Sequence, residues 1–391
     1  MEYIICHYHE IALKGNNRGF FEQRLVENIK NFLPKETFDF VKNISGRIIV
    51  KLNQEGNEKK EKIENILKNI FGIVHFSFAD NCKQDLKTIK KKSIDFLKKE
   101  KFKTFRVSTK RSNKKFKLNS QQINEEIGAF IVQKLNKKVN LKNYDLNLFI
   151  EIVQDYSFLY LDKVKGRGGL PVGVSGKGLV LISGGIDSPV AAFLAMKRGI
   201  KISLIHFHSF PYTDKESIEK VKRIIQILNK FQFRLKLYLC PFADVQKEIL
   251  LNIPAKLRII FYKRMMLRIA EKVGENEKIE TLITGESVGQ VASQTLENIK
   301  VIQSVSDKLI LRPLICQDKR EIIEKAKDIG TFDTSILPHQ DCCTRFVPRH
   351  PATKARLKNV ENTEQKLDIK KLVKKSIQGM ETFNFKFIKN E

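Results

Sequence analysis

The clearest alternation of apolar and polar positions in the chain lies between residues 178 and 196. An apolar run at residues 178–182 predicts a buried strand. A short polar segment, Ser183–Ser188, follows it, and the apolar run at residues 189–196 predicts a helix. Gly184 and Gly185 allow the backbone between them to turn tightly. The pattern therefore predicts a strand, a tight loop and a helix in that order.

The second half of the chain repeats this alternation of strand-like and helix-like runs. Further strands are predicted at residues 202–207, 235–239 and 279–284. Strands that alternate with helices are typical of a doubly wound parallel sheet. We predict that this domain spans residues 172–391 and that a glycine-rich linker precedes it.

The first part of the chain mixes helices and strands less regularly. Residues 1–58 contain a predicted helix at about 18–32 and a strand near 46–50, and they end in a polar segment. Residues 59–164 add further helices and strands. The predicted fold class is therefore α/β and multidomain, with two smaller α+β domains before the doubly wound domain.

The charge of the chain narrows the choice of partner. The 391 residues carry a formal net charge of +28. Residues 81–120 alone hold 15 Lys or Arg against three Asp or Glu, with Phe and Val interleaved. Such an excess indicates a polyanionic partner, with nucleic acid first and an anionic membrane second. The alternative for this segment is a solvated lysine-rich surface.

The composition also indicates a compartment. No run of 18 apolar residues is present, so no membrane span is expected. The N-terminus lacks the basic start and long apolar core of a signal peptide. Six cysteines in this length do not make a disulfide framework. We expect a cytoplasmic protein.

The loop at Ser183–Ser188 is the strongest candidate for chemistry. Its inward N–H groups and the following helix start favour a bound phosphate. The spacing of a Walker A loop and its lysine are absent, which favours a nucleotide split between its α and β phosphates. Asp187 is expected to lie near the phosphates and their Mg²⁺ ion, since a carboxylate close to phosphates needs a cation to offset the like charges. Its alternative role is to cap the helix, and both roles are compatible.

This loop resembles the signature of the PP-loop ATP pyrophosphatases, which transfer AMP to a carbonyl oxygen. The basic segment resembles a THUMP domain, an RNA-binding module, at residues 105–111, 127–129 and 139–146. The usual Asn-Pro-Asp of that module reads Asn143-Tyr144-Asp145 here. Together, THUMP and PP-loop segments resemble the tRNA 4-thiouridine synthetases, also called tRNA sulfurtransferases or the ThiI family.

The resemblance to this family extends over nearly the whole chain. It includes residues 10–18, 284–296 and 312–319. It implies an N-terminal ferredoxin-like domain, a THUMP domain and a PP-loop domain in that order. It also implies ATP and Mg²⁺ as cofactors, tRNA as the partner, and transfer of sulfur to a uridine to give 4-thiouridine. An adenylated uridine makes AMP the leaving group.

The resemblance implies a set of ATP contacts. They are Leu181, Ile182, Ser183, Gly184, Gly185, Ser188, His206, Phe207, Lys263, Gly285 and Gln294. Phe207 could stack on adenine and Lys263 could meet a phosphate. Asp187 belongs to the catalytic set. Lys319 is expected to assist the reaction at the activated uridine, and its alternative is a solvated neighbour of a helix cap at Asp318.

Sulfur handling is assigned by the same resemblance to Cys342, with Cys343 as the alternative. A thiolate there could carry a persulfide or resolve one by disulfide formation. The alternative is two buried structural cysteines. No metal site is predicted, because His206 and His208 lack a third ligand nearby.

The chain departs from many members of the family in one respect. About 50 residues follow Cys343 in this sequence, so no rhodanese domain is expected after it. Sulfur is therefore expected from a cysteine desulfurase or a separate sulfur carrier, and a role in thiazole and thiamine biosynthesis is not assigned. The resemblance also allows a homodimer.

Two other functions remain open. One is another PP-loop tRNA-modifying adenylating enzyme, which would need no cysteine at position 342. The other is an RNA-binding protein with a degenerate nucleotide site. The intact loop with Asp187 argues against the second.

Overall fold

The computed structural model describes residues 1–211, 216–338 and 350–388. The chain divides into two compact units, and the division lies between Pro171 and Val172. The sequence analysis begins the third domain at residue 172.

The first unit, residues 1–171, contains nine strands and five α-helices, and all of its residues are described. The strands are β1 (Tyr3–His7), β2 (Phe38–Ile44), β3 (Arg47–Leu52), β4 (His75–Cys82), β5 (Thr104–Arg111), β6 (Lys138–Val139), β7 (Leu146–Val153), β8 (Tyr156–Tyr160) and β9 (Val164–Lys165). The helices are α1 (Arg18–Phe32), α2 (Gln54–Glu58), α3 (Lys60–Lys68), α4 (Leu86–Leu97) and α5 (Ser120–Leu135).

One sheet runs through this unit in the order β2-β3-β1-β4-β8-β7-β5-β6, and β9 also pairs with β4. Strand β4 pairs with β1 on one side and with β8 on the other. The sheet therefore continues across residue 58, where the sequence analysis places a domain boundary. The boundary itself stays a prediction.

The helices of the first unit begin where side chains can satisfy their free N–H groups. Asp85 accepts a hydrogen bond from the Thr88 backbone at the start of α4. Asn119 and Gln122 form a capping box at the start of α5. Both helices bury their apolar side against the strands that include Phe105. This packing leaves the lysines of α4 on the outer side.

A buried carboxylate joins distant strands of the first sheet. Glu151 on β7 pairs with the guanidinium of Arg47 on β3, and it accepts a hydrogen bond of 2.7 Å from the Tyr160 hydroxyl. His7 lies 2.8 Å from the same carboxylate. Glu151 is 1% exposed. Burial raises its pKa, but His7 and Arg47 outweigh burial, so its pKa lies well below the usual range.

The second unit begins at Val172, and its described part contains six strands and nine α-helices. The strands are β10 (Lys177–Leu181), β11 (Lys201–His208), β12 (Arg234–Pro241), β13 (Thr281–Ile283), β14 (Leu309–Leu311) and β15 (Glu381–Lys386). The helices are α6 (Asp187–Lys197), α7 (Glu216–Leu228), α8 (Ala243–Asn252), α9 (Arg258–Glu277), α10 (Leu296–Gln303), α11 (Lys319–Ile329), α12 (Phe332–Ser335), α13 (Leu357–Glu364) and α14 (Ile369–Gln378).

The strand order of the second sheet is β14-β13-β10-β11-β12-β15. The chain moves outward from β10 through β11 and β12, and then returns to the other side of β10 with β13 and β14. Five strands are parallel, which confirms the predicted doubly wound sheet. The sequence analysis missed β15, an antiparallel strand at one edge. The reversal beside β10 is the position where such sheets bind ligands.

Candidate active site

The loop that follows β10 lies at the carboxyl edge of the second sheet. Ser183 donates its backbone N–H to the Ser188 hydroxyl at 2.8 Å, and the two hydroxyl oxygens lie 3.2 Å apart. The N–H of Gly185 donates to the Ser183 hydroxyl at 3.3 Å. These bonds link the loop to the first turn of α6, so the loop has a defined shape before any ligand binds.

Gly285 brings a second loop against this one. A Cβ atom at Gly285 would lie 2.7 Å from the Ser188 nitrogen and 2.8 Å from the carbonyl carbon of Asp187. Both atoms are backbone, so neither can turn away. The close approach of the loop after β13 to the start of α6 therefore requires glycine here.

Asp187 is the first residue of α6, and its carboxylate has two partners. Lys319 at the start of α11 lies 2.6 Å from one oxygen, and the Gln290 side chain donates to the other at 2.9 Å. The N-cap residue of α6 is Ile186 and Asp187 lies in the first turn, so Asp187 does not occupy the capping position considered for it. Asp318 does cap α11, and Lys319 beside it reaches Asp187 in the loop Ser183–Ser188.

A second carboxylate, Glu286, forms ion pairs with two cations, Lys263 and Arg312. Lys263 of α9 lies 2.8 Å from one of its oxygens, and the Nε of Arg312 lies 2.8 Å from the other. Thr284 also donates its hydroxyl to Glu286 at 3.2 Å. Burial raises the pKa of Glu286, but Lys263 and then Arg312 outweigh burial and lower it to about 2. Lys263 is thus held in place at the carboxyl edge.

The end of β11 supplies a histidine and an aromatic ring. His206 is 4% exposed, and its Nδ1–H donates to the carbonyl oxygen of Ile182 at 2.9 Å. The Phe207 ring is 5% exposed and packs edge-on against Phe242, with ring centroids 5.4 Å apart. Leu181 is the last residue of β10, and Ile182 follows it. Adenine stacking by Phe207 stays a prediction, and the burial of this residue against Phe242 does not support it.

The residues present fit a nucleotide. Gln294 is 8% exposed, and its side-chain carbonyl oxygen has no hydrogen-bond partner among the described residues. A buried acceptor without a donor is unfavourable, and a ligand N–H group would satisfy it. The described residues contain no group of three His, Cys, Asp or Glu side chains placed to hold a metal ion.

Sequence reasoning missed three residues of this site: Glu286, Gln290 and Arg312. Arg312 directly follows β14 and Glu286 lies three residues after the end of β13, so both positions lie at the edge where such sheets bind ligands. A charged residue shortly after a strand of this sheet was therefore the sequence signal that could have identified Glu286 and Arg312. Cys342 and Cys343 lie outside the described residues, and their assigned roles stay predictions.

The first unit presents a basic surface around α4 and β5. Two lysines of this segment are paired, Lys90 with Glu126 and Lys92 with Asp80. Others are exposed, namely Lys83, Lys87, Lys91, Lys98, Lys99, Lys101, Lys103, Lys110, Lys114, Lys115 and Lys117. Asp145 accepts hydrogen bonds from the backbones of Lys103 and Thr104 and so fixes the turn beside them. Within the described ranges, no helix is long and apolar enough to cross a membrane.

Three family models match successive segments of the chain. The family described as Thiamine biosynthesis protein (ThiI) matches residues 173–369. The ThiI ferredoxin-like domain matches residues 3–77, and the THUMP domain matches residues 83–162. The chain belongs to the ThiI family. This confirms the family, the domain types and their order as the sequence analysis had them.

Relatives of this ThiI-family chain match it almost end to end. A probable tRNA sulfurtransferase of Caldanaerobacter subterraneus subsp. tengcongensis is 45% identical and covers 95% of this chain and 96% of its own length. One from Moorella thermoacetica is 42% identical over 97% of this chain and 96% of its own length. A crystal structure of a 4-thiouridine synthetase–RNA complex with bound ATP is 37% identical, with a TM-score of 0.89 over 99% of this chain and 100% of that one.

Proposed function

We propose that this ThiI-family chain uses ATP to transfer sulfur to a uridine of tRNA, giving 4-thiouridine. One observation carries the proposal. The phosphate loop Ser183–Ser188 lies at the switch point of the sheet with Lys319 paired to its Asp187, in a chain 37% identical to a 4-thiouridine synthetase whose structure holds RNA and ATP. A cytoplasmic location follows from the proposed tRNA substrate.

The chain's own groups have separate roles in this reaction. Backbone N–H groups of the loop and the start of α6 would hold the phosphates of ATP. Lys263, fixed by Glu286, would supply a positive charge at the same edge. ATP supplies an AMP group that turns the uridine 4-oxygen into a leaving group. Lys319 would release Asp187 and stabilise charge that develops at the activated uridine.

Mg²⁺ is part of the proposal. Mg²⁺ is usually held by one or two carboxylates together with substrate phosphates. Asp187 is the carboxylate of the loop, and both of its oxygens face exchangeable partners, Lys319 and Gln290. An ion bound with ATP would replace those partners at Asp187.

The basic surface of the first unit would hold the tRNA by its phosphates. Lys and Arg contacts to phosphate set affinity and position without reading the bases. An excess of exposed lysines around α4 and β5 suits this role, and the family match places a THUMP domain there. A cysteine desulfurase or a separate carrier is the proposed sulfur source, and a homodimer is the proposed assembly.

The first test uses Lys319→Met in the full chain. We expect tRNA-dependent release of pyrophosphate from ATP to fall about 10²-fold or more, as for removal of a group that stabilises transition-state charge. Lys325→Met is the matched control, because Lys325 lies on the same helix and pairs with Asp328, at 3.6 Å, rather than with Asp187. Equal activity of the two variants contradicts the role of Lys319.

The second test separates thiolation from adenylation. In Cys342→Ser we expect ATP-dependent release of pyrophosphate to persist while 4-thiouridine, measured by mass spectrometry of tRNA nucleosides, is lost. Cys343→Ser tests the alternative cysteine, and Cys316→Ser is the control, since Cys316 is an exposed free cysteine of the same unit. Unchanged 4-thiouridine in both Cys342→Ser and Cys343→Ser favours an adenylating enzyme without a catalytic cysteine.

A further inference from the structure

A cavity of about 420 Å³ opens at the amino ends of the strands in the second sheet, away from the phosphate loop. Its lining includes five cations and, among the described residues, one carboxylate, Glu277. The cations are Lys177, Lys201, Arg234, Lys236 and Lys386. Apolar side chains such as Ile202 and Leu235 form part of the wall. The cavity has the size range of small-ligand sites.

The sheet itself places these cations side by side. Lys177 begins β10 and lies in register with Lys201, which begins β11. Arg234 begins β12 and lies directly opposite Lys386 at the end of β15. Neighbouring strands are about 4.8 Å apart, and like charges directly opposite each other destabilise a sheet. Four adjacent strands therefore hold a row of positive charge that the fold alone disfavours.

The nearby carboxylate does not neutralise this row. Glu277 pairs with Lys236 at 2.8 Å, and hydrogen bonds from Lys236 and Tyr238 lower its pKa. Among the described residues, no ion pair involves the remaining cations. These are Lys177, Lys201, Arg234 and Lys386.

The cavity is separate from the nucleotide site. Lys177 and Leu181 are the two ends of β10, and four residue steps of a strand span about 13 Å. The phosphate loop follows Leu181, whereas the cavity surrounds Lys177. The phosphates of an ATP molecule in the loop therefore do not explain the row of cations.

We propose that this cavity is a second anion site that binds phosphate groups. A concave site lined by one sign of charge with apolar walls concentrates the field and attracts counter-ions of the opposite sign. Lys and Arg donors form charge-assisted hydrogen bonds to phosphate oxygens, which are stronger than neutral ones. The phosphate groups come either from an RNA backbone or from a small phosphate such as free pyrophosphate. The site rests on the charge arrangement and does not depend on the sulfur-transfer reaction.

The test compares the full chain with the double variant Lys201→Ala/Arg234→Ala. The nucleotide site is first filled with a non-hydrolysable ATP analogue, and inorganic pyrophosphate is then titrated by calorimetry. We expect binding to the wild type and a loss of about tenfold or more in the variant, since each charge-assisted hydrogen bond is worth that much. Lys358→Ala/Lys366→Ala is the control, because these exposed lysines lie elsewhere in the same unit. Unchanged affinity for the ATP analogue checks the fold.

The second arm measures tRNA binding against salt concentration. If RNA supplies the phosphates, the variant lowers the slope of log affinity against log salt by about two, one for each cation removed. If a small phosphate supplies them, the slope stays unchanged while pyrophosphate binding is lost. The proposal is overturned if the variant matches the control in both arms.

Discussion

The contact at Gly285 gives the sharpest test of how the candidate site is built. In Gly285→Ala, the new Cβ atom would lie 2.7 Å from the Ser188 nitrogen and 2.8 Å from the Ser188 Cα. An ordinary contact begins at about 3.4 Å, so the backbones must separate by about 0.7 Å. Gly285 does not have a positive φ angle, so an alanine there would be disfavoured by the steric clash and not by backbone strain.

The expected size of the effect follows from that displacement. Overpacking of this kind costs about 1–3 kcal/mol of unfolding free energy. A displacement approaching 1 Å in a positioned site lowers activity by up to about 10²-fold. We therefore expect weaker ATP binding and at least a tenfold fall in kcat/KM for tRNA-dependent pyrophosphate release, with the fold retained.

The assay pairs urea unfolding with calorimetric ATP binding and pyrophosphate release. Gly128→Ala is the matched control, because a Cβ at Gly128 of α5 meets no atom within 4 Å. Alanine is the better helix former, so this control gains about 0.5–1 kcal/mol. If Gly285→Ala binds ATP and releases pyrophosphate as the wild type does, the loop after β13 does not shape the nucleotide site.

The remaining predictions concern buried carboxylates. Glu286→Gln should raise the KM for ATP, because Lys263 loses its charged partner. Steady-state kinetics check this, with Glu297→Gln as an exposed control. The pKa of Glu286 falls from 4.5 to about 2, equivalent to about 3 kcal/mol of stability that is present above about pH 4.5 and lost as the pH falls toward 2; acid titration should show this loss in the wild type and a smaller one in Glu286→Gln. Glu151→Gln should lower the unfolding free energy of the first unit by about 3–5 kcal/mol, because the Arg47 charge stays buried without its partner; urea unfolding that matches the wild type contradicts this.

Much of the fold follows from local patterns in the sequence. The helix at Arg18–Phe32 begins and ends where the apolar spacing predicts. Strands β10 to β13 were visible as apolar runs because a parallel strand is buried on both faces. Strand β15 was missed because an edge strand is exposed on one side, and Thr382, Asn384 and Lys386 give it a polar appearance.

The candidate site was predictable only in part. The loop Ser183–Ser188 is contiguous, so its chemistry could be inferred from six residues in a row. The partners of Asp187 come from positions 290 and 319, and those of Glu286 from positions 263 and 312. Such pairs depend on the strand order of the sheet. Charge and spacing along the chain do not reveal them.

The cations at the two ends of the second sheet differ in whether they are paired. At the amino ends, four of the five cations that line the cavity form no ion pair among the described residues. At the carboxyl edge, Lys319 and Lys263 are each paired with a carboxylate, Asp187 and Glu286. Glu286 is buried, and a buried charge without a partner is unfavourable, so its pair with Lys263 stabilises the site in the absence of a phosphate. The exposed pair with Asp187 is the weaker of the two, because solvent screens it.

A triphosphate must therefore compete with Asp187 for Lys319, while Glu286, itself buried, keeps Lys263 in position because it pairs with both Lys263 and Arg312. Phosphate binding should thus move Lys319 and leave Lys263 in place. Double-mutant cycles that measure the unfolding free energy, once without ATP and once with ATP bound, distinguish these roles. We expect the coupling between Asp187 and Lys319 to shrink when ATP is bound and the coupling between Glu286 and Lys263 to persist. Equal couplings with and without ATP would refute this division of roles.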